Sequence, residues 1–146
     1  MNTTHQHVRI NERLQAYWDE VRGESRMPDE SDIAPEALED IWPNCFLIDV
    51  KNSGFEYDYL GDNILDAYGD DIRGRAICES LVYPHPPKLL EAFQDVIRTL
   101  GPVQLEETFT NAQGVEIRFR SCVLPLTKKG DIGVQFILGG MKWKAS

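Results

Sequence analysis

This sequence encodes an α+β domain: a five-stranded antiparallel sheet with helices on one face and an N-terminal amphipathic helix left to cover the other. Three observations lead there. Two long segments carry apolar residues at helical spacing, and five shorter ones run apolar or alternate between turn signals. Short helical pieces then separate the first two strands from the last three, which forces a non-local junction within one sheet. A chain of 146 residues, 42% hydrophobic and 27% charged, is enough for one such domain and needs neither metal nor disulfide to fold.

Residues 1–23 form the first unit. Ile10, Leu14, Tyr17, Trp18 and Val21 recur on one face of a helix that Gly23 ends. A stripe that large and aromatic must lie on a sheet or on a second copy of itself. Residues 24–43 form an acidic connector with Pro28, Pro35 and Pro43, in which Pro35 can start a short helical turn. The core unit is 44–142. Cys45 to Val50 is a compact apolar run, Asn52-Ser53-Gly54 a turn, and Phe55, Tyr57 and Tyr59 alternate with Glu56 and Asp58, which reads as two strands. Asp62 is placed to cap a short turn over Ile64 and Leu65. The second long helix begins at the Pro84 to Pro87 cluster, aligns Leu89, Leu90, Phe93, Val96, Ile97 and Leu100, and is closed by Gly101 and Pro102. Strands then follow over Val103 to Thr110, Val115 to Leu126 and Ile132 to Met141.

The net charge is −9, which disfavours nucleic acid or an anionic membrane as partner. The acids are uneven: residues 19–40 hold nine against Arg22 and Arg26, whereas residues 116–146 carry six bases against Glu116 and Asp131. Opposed charges of this kind pair within a fold or between subunits, or else form solvated faces. Cys45, Cys78 and Cys122 stand far apart outside any metal-binding spacing and read as reduced core thiols. The polar N-terminus carries no signal-peptide core, and no apolar run approaches the ~18 residues of a membrane span, so the expected location is cytoplasmic.

The order of elements resembles the PAS fold, and the residue pattern is similar to a PAS family of mainly alphaproteobacterial, single-domain proteins. Tyr17-Trp18 with Arg22, Pro28, Asp32 to Pro35, Trp42-Pro43 with Phe46 to Asp49, the strand from Tyr57 to Asp62, then Gly69, Asp71 and Gly74, and Leu124-Pro125-Leu126 carry the resemblance. Asp58 stands where the family pattern has arginine and Asp62 where it has threonine. The resemblance implies a bacterial sensory or interaction module in signal transduction rather than an enzyme, acting through an unidentified signalling protein.

No phosphate loop, zinc motif or nucleophile elbow occurs. Cys45 and Cys78 lack the neighbours of a flavin-reactive cysteine, His85 sits between prolines, where capping suits it better than haem ligation, and His5 and His7 lie in a polar tail. No cofactor and no metal is expected, and a small-molecule ligand is left unspecified. Its cavity candidates are Tyr57, Tyr59, Tyr68, Phe93, Ile97, Glu107 and Phe119. Alternation with Val103, Leu105 and Phe109 turns Glu107 toward the helices, where a carboxylate needs a partner such as Tyr68 or a ligand cation. A bulge near Glu106 would instead return it to solvent. On the opposite side, Glu106 and Thr108 are placed to face Arg118 and Arg120. The stripe of Ile10, Leu14, Tyr17, Trp18 and Val21 is the expected homodimer interface. Two other readings remain: a small enzyme using Glu107 or Asp58 as general base beside a tyrosine, and a ligand-free dimerisation adaptor.

Overall fold

A computed structural model describes residues 10–52, 54–72, 76–77, 87–129, 131 and 133–145. Helix α1 (Ile10–Arg22) is followed by three 3-10 turns, Glu30–Asp32, Pro35–Leu38 and Trp42–Asn44. Strands β1 (Cys45–Lys51) and β2 (Gly54–Leu60), helix α2 (Asp62–Tyr68), the two-residue β3 (Ala76–Ile77) and helix α3 (Pro87–Thr99) come next. Strands β4 (Val103–Thr110), β5 (Glu116–Leu126) and β6 (Phe136–Ala145) complete the chain. The sheet runs β3-β2-β1-β6-β5-β4, and every neighbouring pair is antiparallel. The five long strands are those read from the sequence, and β3 is an added fragment paired with Phe55 and Glu56.

Strand alternation divides the sheet into two faces. The inner face carries Phe46, Ile48, Phe55, Tyr57, Phe109, Ile117 and Phe119, all buried, opposite Leu89, Phe93 and Val96 of α3 and Ile64 and Tyr68 of α2. The outer face is covered by α1. Ile10, Leu14 and Trp18 are buried within the single chain, and the Trp18 indole N–H donates to the Pro125 carbonyl at 2.9 Å. Tyr17 and Val21 are half-buried on its flank.

Two adjacent glycines of β6 set both contacts. A Cβ on Gly139 would lie 2.0 Å from the Phe46 ring on the inner face. One on Gly140 would lie 3.0 Å from the Asn11 Oδ1 and 3.1 Å from Leu14 of α1 on the outer face. Both strand faces therefore need a bare backbone at this point.

The connector is held at both ends. Pro28 and Glu30 exchange main-chain hydrogen bonds with Thr127, and Asp29 and Asp32 form a capping box around the first 3-10 turn. Further on, Arg13 grips Asp40 with two bonds of 2.7 Å and the Ala37 carbonyl with a third, while the Tyr17 hydroxyl accepts from the Ala34 N–H. The guanidinium lowers the Asp40 pKa, and the carboxylate raises that of Arg13.

Four local expectations are corrected. Gly61, not Asp62, is the N-cap of α2, which runs seven residues to Gly69 in a left-handed conformation. The left-handed residue after α3 is Leu100, φ 60°, ahead of Gly101. Strand β6 starts at Phe136 rather than Ile132 and runs to Ala145. Ile97 is 37% exposed, because the buried stripe of α3 centres on Leu89, Phe93 and Val96 and leaves it at the edge.

Candidate functional site

The inner face presents a connected set of aromatic side chains. Phe55 and Phe93 have ring centroids 5.3 Å apart, Phe93 and Phe46 6.1 Å, and Phe46 and Tyr57 6.3 Å. The Tyr57 and Tyr68 hydroxyls lie 3.2 Å from each other, and Tyr68 continues to Phe109 at 5.4 Å and Phe109 to Phe119 at 5.8 Å. Edge and tilted contacts of this kind add to area burial. The two phenols are the polar centre of this apolar layer. Burial pushes both pKa values up, so both groups stay neutral hydrogen-bonding hydroxyls at physiological pH.

The candidate cavity residues divide accordingly. Tyr57, Tyr68, Phe93 and Phe119 come together on the inner face; Tyr59 does not. Ile48 pairs with Tyr57 but Leu47 pairs with Tyr59, so Asp58 is an extra residue in a bulge and alternation is reversed beyond it. Tyr59 therefore faces outward, stacks on Trp42 at 4.6 Å and donates its hydroxyl to the Trp42 carbonyl at 2.9 Å. Asp58 is exposed at the bulge.

Glu107 takes the inward side, because β4 and β5 stay in continuous register from Val103 to Thr110 with no bulge near Glu106. It sits at the rim, half-buried, and its charge adds to the upward shift of the Tyr68 pKa. Its two carboxylate oxygens accept from the Lys88 N–H in the first turn of α3 at 3.1 and 3.3 Å. Burial raises the Glu107 pKa; the hydrogen bond from the Lys88 amide and the Lys88 charge work in the other direction. Across the edge, Glu106 pairs with Arg120 at 2.8 Å and Thr108 lies opposite Arg118, as the alternation required. Lys88, Glu106, Glu107, Thr108 and Arg118 line an open groove of about 510 Å³ around β4.

Cys45 and Cys122 flank Gly140 in the ladder and lie buried on the outer face beneath α1. The Cys45 thiol donates to the Ile41 main-chain carbonyl, the Cys122 thiol to the Gln15 side-chain Oε1, and burial pushes both thiols up to about 12. They are unreactive in this state. Cys78, His85, His5 and His7 lie outside the described residues.

Comparison with known proteins identifies the frame. A family model described as "PAS domain" matches residues 6–141. The chain belongs to the PAS domain family. No curated protein matches it in sequence. A light-oxygen-voltage domain studied with a flavin analogue superposes with a TM-score of 0.57 at 16% identity, over 76% of this chain and 82% of that one. The LOV domain of the Erythrobacter litoralis EL346 blue-light activated histidine kinase gives 0.55 at 14% identity, covering 70% and 95%. The PAS domain of the fruit-fly ELK potassium channel gives 0.51 at 17% identity, covering 68% and 84%.

At these identities the likeness is one of fold. Among the described residues neither thiol of this PAS domain suits a flavin on the inner face, since Cys45 and Cys122 both point to the outer one. No helix among the described residues is long and apolar enough to cross a membrane.

Phe46, Phe55 and Phe109 join the aromatic set with no local pattern in the sequence that marks them for it. Phe46 was concealed by its place in an unbroken apolar run, which shows no face. Lys88 as the partner of Glu107 left no trace, because its contribution is a main-chain N–H.

Proposed function

We propose that this PAS domain is a sensory or regulatory module in which a small molecule, received at the aromatic inner face, alters how α1 sits on the outer face. Contacts with a signalling protein then carry the change onward. One observation supports this most directly: Gly139 and Gly140 place the Phe46 ring and α1 against opposite sides of two consecutive residues. A shift of Phe46 reaches α1 through a single strand, because cores repack discretely rather than deform smoothly. Tyr57, Tyr68, Phe93 and Phe119 would line the receiving side, with the paired phenols supplying the polar contacts.

A cytoplasmic location and a homodimer belong to the same proposal. The apolar stripe of α1 supports the dimer less than its size suggests, because Ile10, Leu14 and Trp18 already pack on their own sheet. Tyr17 and Val21 remain as its half-buried contribution. The enzyme reading is supported less well. Asp58 stands exposed on the bulge, and the Glu107 carboxylate is engaged by α3.

The test is a screen of aromatic and heterocyclic small molecules with two readouts, melting temperature and the labelling rate of Cys122 in a Cys78→Ser background. A compound that raises the first and changes the second is the expected result. Compounds that raise the melting temperature while leaving Cys122 labelling unchanged would refute coupling between the two faces.

A further inference from the structure

The bases of the C-terminal stretch take no part in the aromatic layer described above, yet the fold gathers four of the six in one place. Arg118 and Arg120 of β5 project on the outer face directly opposite Lys144 and Lys142 of β6. All four are exposed, below the region that α1 covers. Continuing to β4, the two cross-strand rows are Thr108, Arg118, Lys144 and Glu106, Arg120, Lys142. Glu106 is the single acid in them and is bound to Arg120. Like charges directly opposite in an antiparallel pair destabilise the sheet, and Glu106 offsets this at Arg120 while Arg118 faces Lys144 in the neighbouring row. Lys88 and Arg118 also line the 510 Å³ groove around the β4 edge, together with Glu106 and Glu107. All this occurs on a chain of net charge −9.

We propose that the ledge formed by Arg118, Arg120, Lys142 and Lys144 docks an extended acidic segment of a partner protein. The proposal rests on the regulatory-module reading and names the chemistry of the partner. Complementarity of charge selects an acidic occupant, and spacing selects its conformation. Successive ledge residues along one strand, Arg118 to Arg120 or Lys142 to Lys144, are two positions apart, roughly 6.6 Å in a strand. An extended segment with carboxylates at alternate positions has the same repeat, whereas carboxylates on one face of a helix recur every three or four residues. The outward main-chain groups of edge strand β4 lie beside the ledge and offer such a segment further hydrogen bonds.

The experiment titrates the full-length chain with a fluorescent heptapeptide of alternating Glu and Ser, following anisotropy at about 0.02 M and about 0.3 M salt. The corresponding Gln and Ser peptide and a single-stranded oligonucleotide of equal charge serve as competitors. The Glu–Ser peptide should bind at low salt. Binding should weaken about tenfold or more with Arg118→Glu plus Lys144→Glu and at the higher salt, and remain unchanged with Lys51→Glu plus Lys128→Glu. Arg118→Gln plus Lys144→Gln gives the same answer at smaller amplitude should charge reversal disturb folding. Absence of binding, equal binding by the ledge variants, or preference for the oligonucleotide would overturn the proposal. So would sedimentation showing the ledge buried against a second copy of the chain. None of these outcomes touches the Cys122 readout, so failure of the ledge and failure of the module reading are separable.

Discussion

Replacing Trp18 by alanine tests whether α1 is a separately detachable cover. The indole is 2% exposed, donates to the Pro125 carbonyl at 2.9 Å and lies under the Arg22 guanidinium at 5.4 Å. Truncating a buried Trp costs about 3–5 kcal/mol, which includes the hydrogen bond. That is a large part of the roughly 5–15 kcal/mol that holds a typical domain together. Two assays separate local from global loss. Urea unfolding measures the whole domain. Thiol labelling in a Cys78→Ser background reports undocking in excess of global unfolding, since Cys45 and Cys122 are fully buried on the outer face with thiols raised to about 12. A cost of about 4 kcal/mol falling on local undocking speeds Cys122 labelling by about 10³-fold. Trp18→Phe keeps most of the burial and loses the N–H donor, so it should fall near 1–2 kcal/mol. The reasoning fails if Trp18→Ala costs less than about 1 kcal/mol, or if Cys122 becomes no more reactive than global unfolding explains.

Gly139→Ala should destabilise by about 3 kcal/mol in chemical denaturation, because its Cβ would meet the Phe46 ring at 2.0 Å and that ring is wedged against Tyr57 and Phe93; combining it with Phe46→Leu should recover much of the loss. Additive effects in that double mutant would show that the contact is not the cause. Glu107→Gln should gain stability over the natural chain as pH rises. The raised folded pKa makes ionisation costly above it, while below the ordinary carboxyl value both states are protonated and the cost disappears. Melting temperatures from about pH 4 to 8 check this, and a difference that stays flat or narrows with pH contradicts it. Asp40→Asn should cost about 0.5–1 kcal/mol near neutral pH, since both partners of the Arg13 pair are about 39% exposed; with its folded pKa lowered, the natural chain should lose this advantage as pH falls through that value, which unfolding at acidic pH reads directly.

What the sequence made legible follows its periodicity. Strand β4 was readable from Val103 to Thr110 because Gly101-Pro102 and Asn111 to Gly114 bracket an uninterrupted alternation. The same alternation placed Glu107 on the inward side. It misplaced Tyr59, because the pattern from Phe55 to Tyr59 is as regular in sequence as that of β4, and the bulge at Asp58 is fixed by the partner register of Leu47 and Ile48 rather than by any local signal. The start of β6 was read too early, since Ile132 to Gln135 is as apolar as a strand while Gln135 is drawn into main-chain bonds with Leu126 and Val50. Strand β3 has two residues and hence no period to detect.

The two opposed charge clusters show how topology decides between readings that composition leaves open. The acidic turn Glu30–Asp32 is tied to Thr127 just beyond β5, while the ledge begins at Arg118 and Arg120 near the other end of that strand. Seven to nine residues at about 3.3 Å each separate them, roughly 23–30 Å, about three to four screening lengths at physiological salt. Asp40 of the connector and Asp19 of α1 itself are taken by Arg13 and Arg22. Among the described residues the connector therefore forms no ion pair with the ledge, although Asp29 lies within reach of the Lys129 charge at the other end of β5. The outer face is left with an apolar half, closed by α1, and a cationic half that is open. An acidic chain that keeps four bases together on exposed strands, where they repel, directs that half of the sheet toward another molecule.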